Sequence, residues 1–164
     1  MPTLNQELTR LYLLPDQQWH KQKLDPSGEP KYYAEGMLTP ELLNKSIAGE
    51  LTIALNLVSA DCMARALVVD FDRAADWPQV AKLYQAVIEE LALPAPAVAV
   101  SGRKGYGVWF SLAEPIPAAQ ARAFLHLLRA TYLREIPEAA LDLRPDTDTP
   151  TTAAAAVVPL PARR

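Results

Sequence analysis

What this sequence lacks narrows its possibilities first. A single cysteine, Cys62, in 164 residues excludes an internal disulfide and a cysteine-based zinc cluster, and makes an intracellular, cytoplasmic setting the expectation. No apolar run approaches the roughly 20 residues of a membrane span, so no membrane partner is expected. The polar start from Met1 to Thr9 is unlike a signal peptide. Excess positive charge is absent too. Sixteen Lys and Arg face 19 acids, for a net charge of −3 and a pI near 5.4. That balance argues against coating nucleic acid by bulk charge, but not against holding it in one local groove. Neither a Walker phosphate loop nor a Rossmann glycine turn is present.

Half of the residues are hydrophobic, with 3 Trp, 6 Tyr and 3 Phe, enough for one domain with a real core. Fifteen prolines, about twice the average usage, fall mostly where elements begin and end. Leu8, Leu11, Tyr12 and Leu14 predict a short amphipathic helix stopped by Pro15. Lys21 to Lys31, around Asp25-Pro26-Ser27-Gly28, reads as a polar hairpin or loop. Trp19, His20, Lys21 and Lys23 read as solvated, with contact to a template strand as the alternative. Thr39-Pro40-Glu41 is an N-cap, a first-turn proline and an acid at the positive end of a helix dipole. That helix carries Leu42, Leu43 and Ile47 and stops at Gly49, and a strand is expected from Leu51 to Val58.

From Ala66 the pattern becomes regular. Ala66 to Asp72 is a buried-type strand turning acidic at its end, followed by a helix opened by Asp76-Trp77-Pro78. Strands at Ala97 to Ser101 and Gly107 to Leu112 flank the turn Gly102-Arg103-Lys104-Gly105. A helix from Ala118 to Ile136 and a strand from Ala140 to Arg144 complete the series, and the tail from Ala153 to Val158 offers a further strand. The order β-α-β-β-α-β predicts an α+β fold with a ferredoxin-like, RRM-like core. We therefore expect one domain: an N-terminal α/β part (residues 1–60), the core (66–145) and a tail (146–164).

In that topology the first core strand lies between the third and the fourth, both antiparallel to it. One edge of the sheet then gathers Asp70, Asp72, Ser101, Arg103, Lys104 and Asp142. Alternation puts Asp70 and Asp72 on one face, Cα atoms about 7 Å apart. Two such carboxylates repel each other unless something neutralises them. Magnesium does so with one or two carboxylates, phosphate and water, and the whole constellation suits two-metal phosphoryl chemistry. The glycine-flanked cations Arg103 and Lys104 suit a phosphate. Trp109 and Phe110 alternate on their strand, so one faces the helices and the other the open sheet face, where an aromatic can stack a base. Asp146 and Asp148 read as turn residues, with Asp146 in reserve should Asp142 point inward.

At these residues the chain resembles the archaeo-eukaryotic primase superfamily, the primase–polymerases. The likeness is carried by Val68-Val69-Asp70-Phe71-Asp72, by Ser101-Gly102-Arg103-Lys104-Gly105 running into Tyr106-Gly107-Val108-Trp109-Phe110, and by Asp142 in Leu141-Asp142-Leu143-Arg144-Pro145. The lead-in from Leu38 to Leu57 and the terminal Val157-Val158-Pro159-Leu160-Pro161 are also similar, so the likeness spans roughly residues 35 to 161. It implies that Asp70, Asp72 and Asp142 hold Mg²⁺ or Mn²⁺, and that Ser101, Arg103, Lys104 and Gly105 bind the incoming nucleotide. It further implies nucleoside triphosphates and a DNA template or primer as partners, with a helicase or other replication protein as a further one. One position departs from the family pattern. Where a histidine usually follows the second turn glycine by two residues and contacts the nucleotide phosphate, this chain has Gly107, and neither His20 nor His126 takes its place. Template-dependent nucleotidyl transfer in DNA replication is the leading expectation. The alternatives are a catalytically inactive primase-like module that binds nucleotide or nucleic acid, and an unrelated ferredoxin-like nucleotidyl transferase or nuclease.

Overall fold

The computed structural model describes residues 1–100, 105–150 and 157–159. Its elements run α1 (Leu4–Tyr12), β1 (Gln18–Leu24), β2 (Pro30–Met37), α2 (Pro40–Ile47), β3 (Ile53–Asn56), β4 (Met63–Phe71), α3 (Trp77–Glu89), β5 (Ala97–Val100), β6 (Tyr106–Pro117), α4 (Ala118–Tyr132), β7 (Leu141–Arg144) and β8 (Val157–Pro159). They form two antiparallel four-stranded sheets, ordered β2-β1-β3-β8 and β5-β6-β4-β7. The second is the α+β, ferredoxin-like core, with β4 between β6 and β7 as the strand order requires.

Alternation along β4 decides how the layers pack. Leu67, Val69 and Phe71 point to one face, where they meet Val80, Leu83 and Val87 of α3 and Ala121, Leu125 and Leu128 of α4. Ala66 and Val68 point to the other, where they meet Leu55 of β3, Leu43 of α2, Trp19 of β1 and Tyr12 of α1. Both faces of the core sheet are therefore covered. Trp109 lies in this second cluster and is buried, so it is not the open base-stacking aromatic that alternation alone suggested.

The N-terminal layer differs most from the sequence reading. Residues 18–37 form two paired strands, turned by Asp25, whose carboxylate accepts from Ser27 N–H and Glu29 N–H at 2.9 Å each. Trp19 and His20 are buried, not solvated. β2 is exposed along nearly all of its length, so it has no buried face whose alternation would mark it as a strand. α1 begins at Leu4, earlier than its apolar stripe indicates, because Thr3 and Gln6 close a capping box. α4 stops at Tyr132, since Leu133 and Ile136 turn into the core and Pro137 disfavours helix before it. β6 runs on to Pro117, pairing with Met63 and Ala64 past a bulge. In the tail, a strand is described only at Val157–Pro159, paired with β3, and the rest of the expected span from Ala153 lies outside the described residues. No helix among the described residues is long and apolar enough to cross a membrane.

Candidate functional site

The ladder registers of β4 bring the acids together. Asp70 stands directly opposite Asp142 of β7 on one side and Gly107 of β6 on the other. Asp72 follows β4, but its N–H still bonds the Ala140 carbonyl at 3.0 Å, which continues the pairing and returns its side chain to the Asp70 face. Beyond it, Arg73 grips the buried Asp76 through two 2.8 Å hydrogen bonds, fixing the bend into α3.

The three carboxylates can each offer an oxygen, and these oxygens lie within 4.8 Å of one another. Like charges directly opposite on neighbouring strands repel, and Asp70 is also partly buried. Its pKa is pushed up to about 6, first by burial and then by Asp72 and Asp142, against a smaller opposing effect of Arg144. Asp72 is raised by burial and by Asp142, again opposed by Arg144. An acid cluster so poorly compensated by protein cations is a fitting receptor for a divalent ion, whose hard oxygen ligands these are. Among the described residues this is the one group of three or more potential ligands so arranged.

Arg144 is the residue that sequence reasoning missed. Its period-two spacing from Asp142 puts it on the acid face, opposite Val68. Its guanidinium lies 3.9 Å from Asp142 and 3.1 Å from Asp146. Asp142 therefore faces the cluster, and Asp146 is held as the ion-pair partner of Arg144, so no reserve acid is needed. Asp148 likewise pairs with Arg122 at 2.7 Å.

Ser101, Gly102, Arg103 and Lys104 lie outside the described residues. Their flanks are described: Val100 pairs with Tyr106, and Tyr106 pairs with Phe71, next to Asp72. Gly105 is buried at the start of β6. His126 is exposed on α4 and takes no part in the cluster.

Residues 15–161 match a family model described as the archaeo-eukaryotic primase domain of the TOTE conflict system. No curated protein matches the chain.

Proposed function

This chain belongs to the archaeo-eukaryotic primase domain family of TOTE conflict systems, and on that premise we propose that it carries out template-dependent nucleotidyl transfer, joining a 3′-hydroxyl to the α-phosphate of a nucleoside triphosphate with release of pyrophosphate. The observation that carries this reading is the convergence of Asp70, Asp72 and Asp142 on one face of one sheet edge.

In this reading Asp70, Asp72 and Asp142 hold Mg²⁺ or Mn²⁺. Bound there, the cations supply Lewis-acid stabilisation of the phosphoryl oxygens and ease ionisation of the attacking hydroxyl. The protein's own residues do the positioning. The antiparallel ladder fixes Asp70 and Asp142 side by side, which keeps the reorganisation small when substrate arrives. Arg144 offsets part of the acid charge from the β7 side. Ser101, Arg103, Lys104 and Gly105 lie along the triphosphate, supplying hydroxyl, cationic and backbone N–H donors. A DNA template and primer are the strand partners, and a helicase or other replication protein completes the assembly.

A second reading, a module that binds nucleotide or nucleic acid without extending it, draws on Gly107, which leaves no side chain opposite Asp70 on the β6 side. One experiment separates the two. Wild-type protein is given Mn²⁺, labelled triphosphates and a primed single-stranded template, alongside Asp70→Asn with Asp72→Asn. Metal-dependent extension that falls at least about 100-fold in the double variant supports transfer, given that each lost 1.4 kcal/mol of transition-state stabilisation is about tenfold. Extension that survives the double change overturns it. Binding without extension, lost in the double variant, selects the second reading.

A further inference from the structure

The acid face of the core sheet carries one more polar group. Trp109 stands two residues beyond Gly107 on β6 and shares its face, opposite Val68 as Gly107 is opposite Asp70. The indole lies over the glycine. A Cβ at position 107 would stand 3.1 Å from Trp109 Nε1 and 3.5 Å from its Cδ1. Both atoms belong to the pyrrole edge of the ring, so the edge bearing the N–H lies along β6 over Gly107, whose ladder partners are Asp70 of β4 and Ala99 of β5. Burial and an edge-on contact with Tyr12, ring centroids 5.4 Å apart, hold the ring in that orientation.

The ring is buried, but its Nε1 is not among the described polar atoms that are both buried and without a partner. It donates to no described residue, so its N–H is open to an incoming acceptor. We propose that Trp109 is a positioning residue for the nucleotide, donating its Nε1–H to a phosphate oxygen of a nucleoside triphosphate bound at the acid cluster. This rests on reading that cluster as the nucleotide site. An indole is a donor only and keeps its proton across the physiological range, so the contact requires an acceptor oxygen, such as that of a phosphate, and adds no titration of its own. The role also accounts for Gly107: a side chain there presses on the pyrrole edge and displaces the donor.

The test uses the full chain with Mn²⁺ and labelled ATP, read as binding affinity, and the Trp109 indole N–H resonance, assigned with the aid of Trp19→Phe and Trp77→Phe. Trp109→Phe keeps an aromatic ring against Tyr12 and removes the donor together with the five-membered ring that carries it. It should weaken Mn²⁺-dependent ATP binding about tenfold or more, the scale of one hydrogen bond to a charged group, while adenosine and Mn²⁺ alone bind as in wild type. Gly107→Ala, which keeps the indole but crowds it, should weaken ATP binding in the same direction and serves if Trp109→Phe fails to fold. In wild type the Trp109 indole proton should shift on adding ATP with Mn²⁺. Unchanged ATP affinity in folded Trp109→Phe, or in Gly107→Ala, or an indole resonance that ignores ATP, overturns the proposal. Failure of the underlying reading looks different: ATP binding that is indifferent to Mn²⁺ or to Asp70→Asn with Asp72→Asn overturns both.

Discussion

At Asp70, a carboxylate follows the apolar run Ala66-Leu67-Val68-Val69 of its strand, and it meets a second carboxylate across the ladder. Folding therefore holds a proton at this position more tightly than the unfolded chain does, with a pKa near 6 against an ordinary 3.8. A raised carboxylate pKa contributes stability that is full below about pH 4 and lost as pH rises through about 6. In EDTA, Asp70→Asn should therefore unfold at higher urea than wild type at pH 7.5, by up to about 2–3 kcal/mol, and the two should converge at pH 4. A wild type that is the more stable of the two at pH 7.5 without metal would contradict this. Saturating Mn²⁺ should reverse the order at pH 7.5, because only the wild type retains the full set of acids, and Mn²⁺ affinity should fall below about pH 6 as Asp70 protonates. Asp70, Asp72 and Asp142 were legible as candidates from residue type and strand position alone. The ion pairs of Arg144 with Asp142 and Asp146 and the placement of the Trp109 indole over Gly107 were not, since each depends on how side chains pack in space.

The elements themselves show where local signals suffice. β4, α2 and α3 follow from apolar patterning and capping residues, and the Thr39 hydroxyl accepts from Leu42 N–H as its position predicts. The end of α3 shows a local rule strained. Leu93 N–H bonds the Val87 carbonyl at 3.0 Å, with Ala92 in the left-handed region at φ 51°. That closure favours glycine, because a Cβ there is costly. Exposed Ala92→Gly should raise stability by about 0.5–1 kcal/mol, read as a higher urea midpoint with an unchanged slope. A lower midpoint would show that Ala92 makes contacts outweighing its backbone strain. β1 and β2 were harder to read because β2 is exposed nearly throughout and β1 is buried only at Trp19 and His20, and the hairpin turn at Asp25 was clearer than the strands it joins.

For the whole molecule, charge and layering decide the outcome. With three acids assigned to the candidate site, the remaining 16 acids balance the 16 basic residues, so the rest of the chain offers little bulk attraction for DNA. Nucleic-acid affinity should be modest, should rise when Mn²⁺ is added with triphosphate, and should fall steeply between 50 and 200 mM salt. Fluorescence anisotropy with a labelled single strand checks this, and a tight complex in EDTA would refute it. The amino-acid order by itself determined the core topology, since the period of each segment names its type and short connections leave few ways to pair the strands. It also determined that Asp70, Asp72 and Asp142 share an edge, because strand direction puts them there. Only the tertiary structure decided that the second face of the core sheet is covered by α1, α2 and β3, because which layer covers a half-apolar sheet depends on long-range packing that no local pattern encodes. The same packing buries Trp109 and lays its N–H edge over Gly107. A side chain's direction at a shared interface is set by its neighbours' shapes, and those neighbours come from distant parts of the chain.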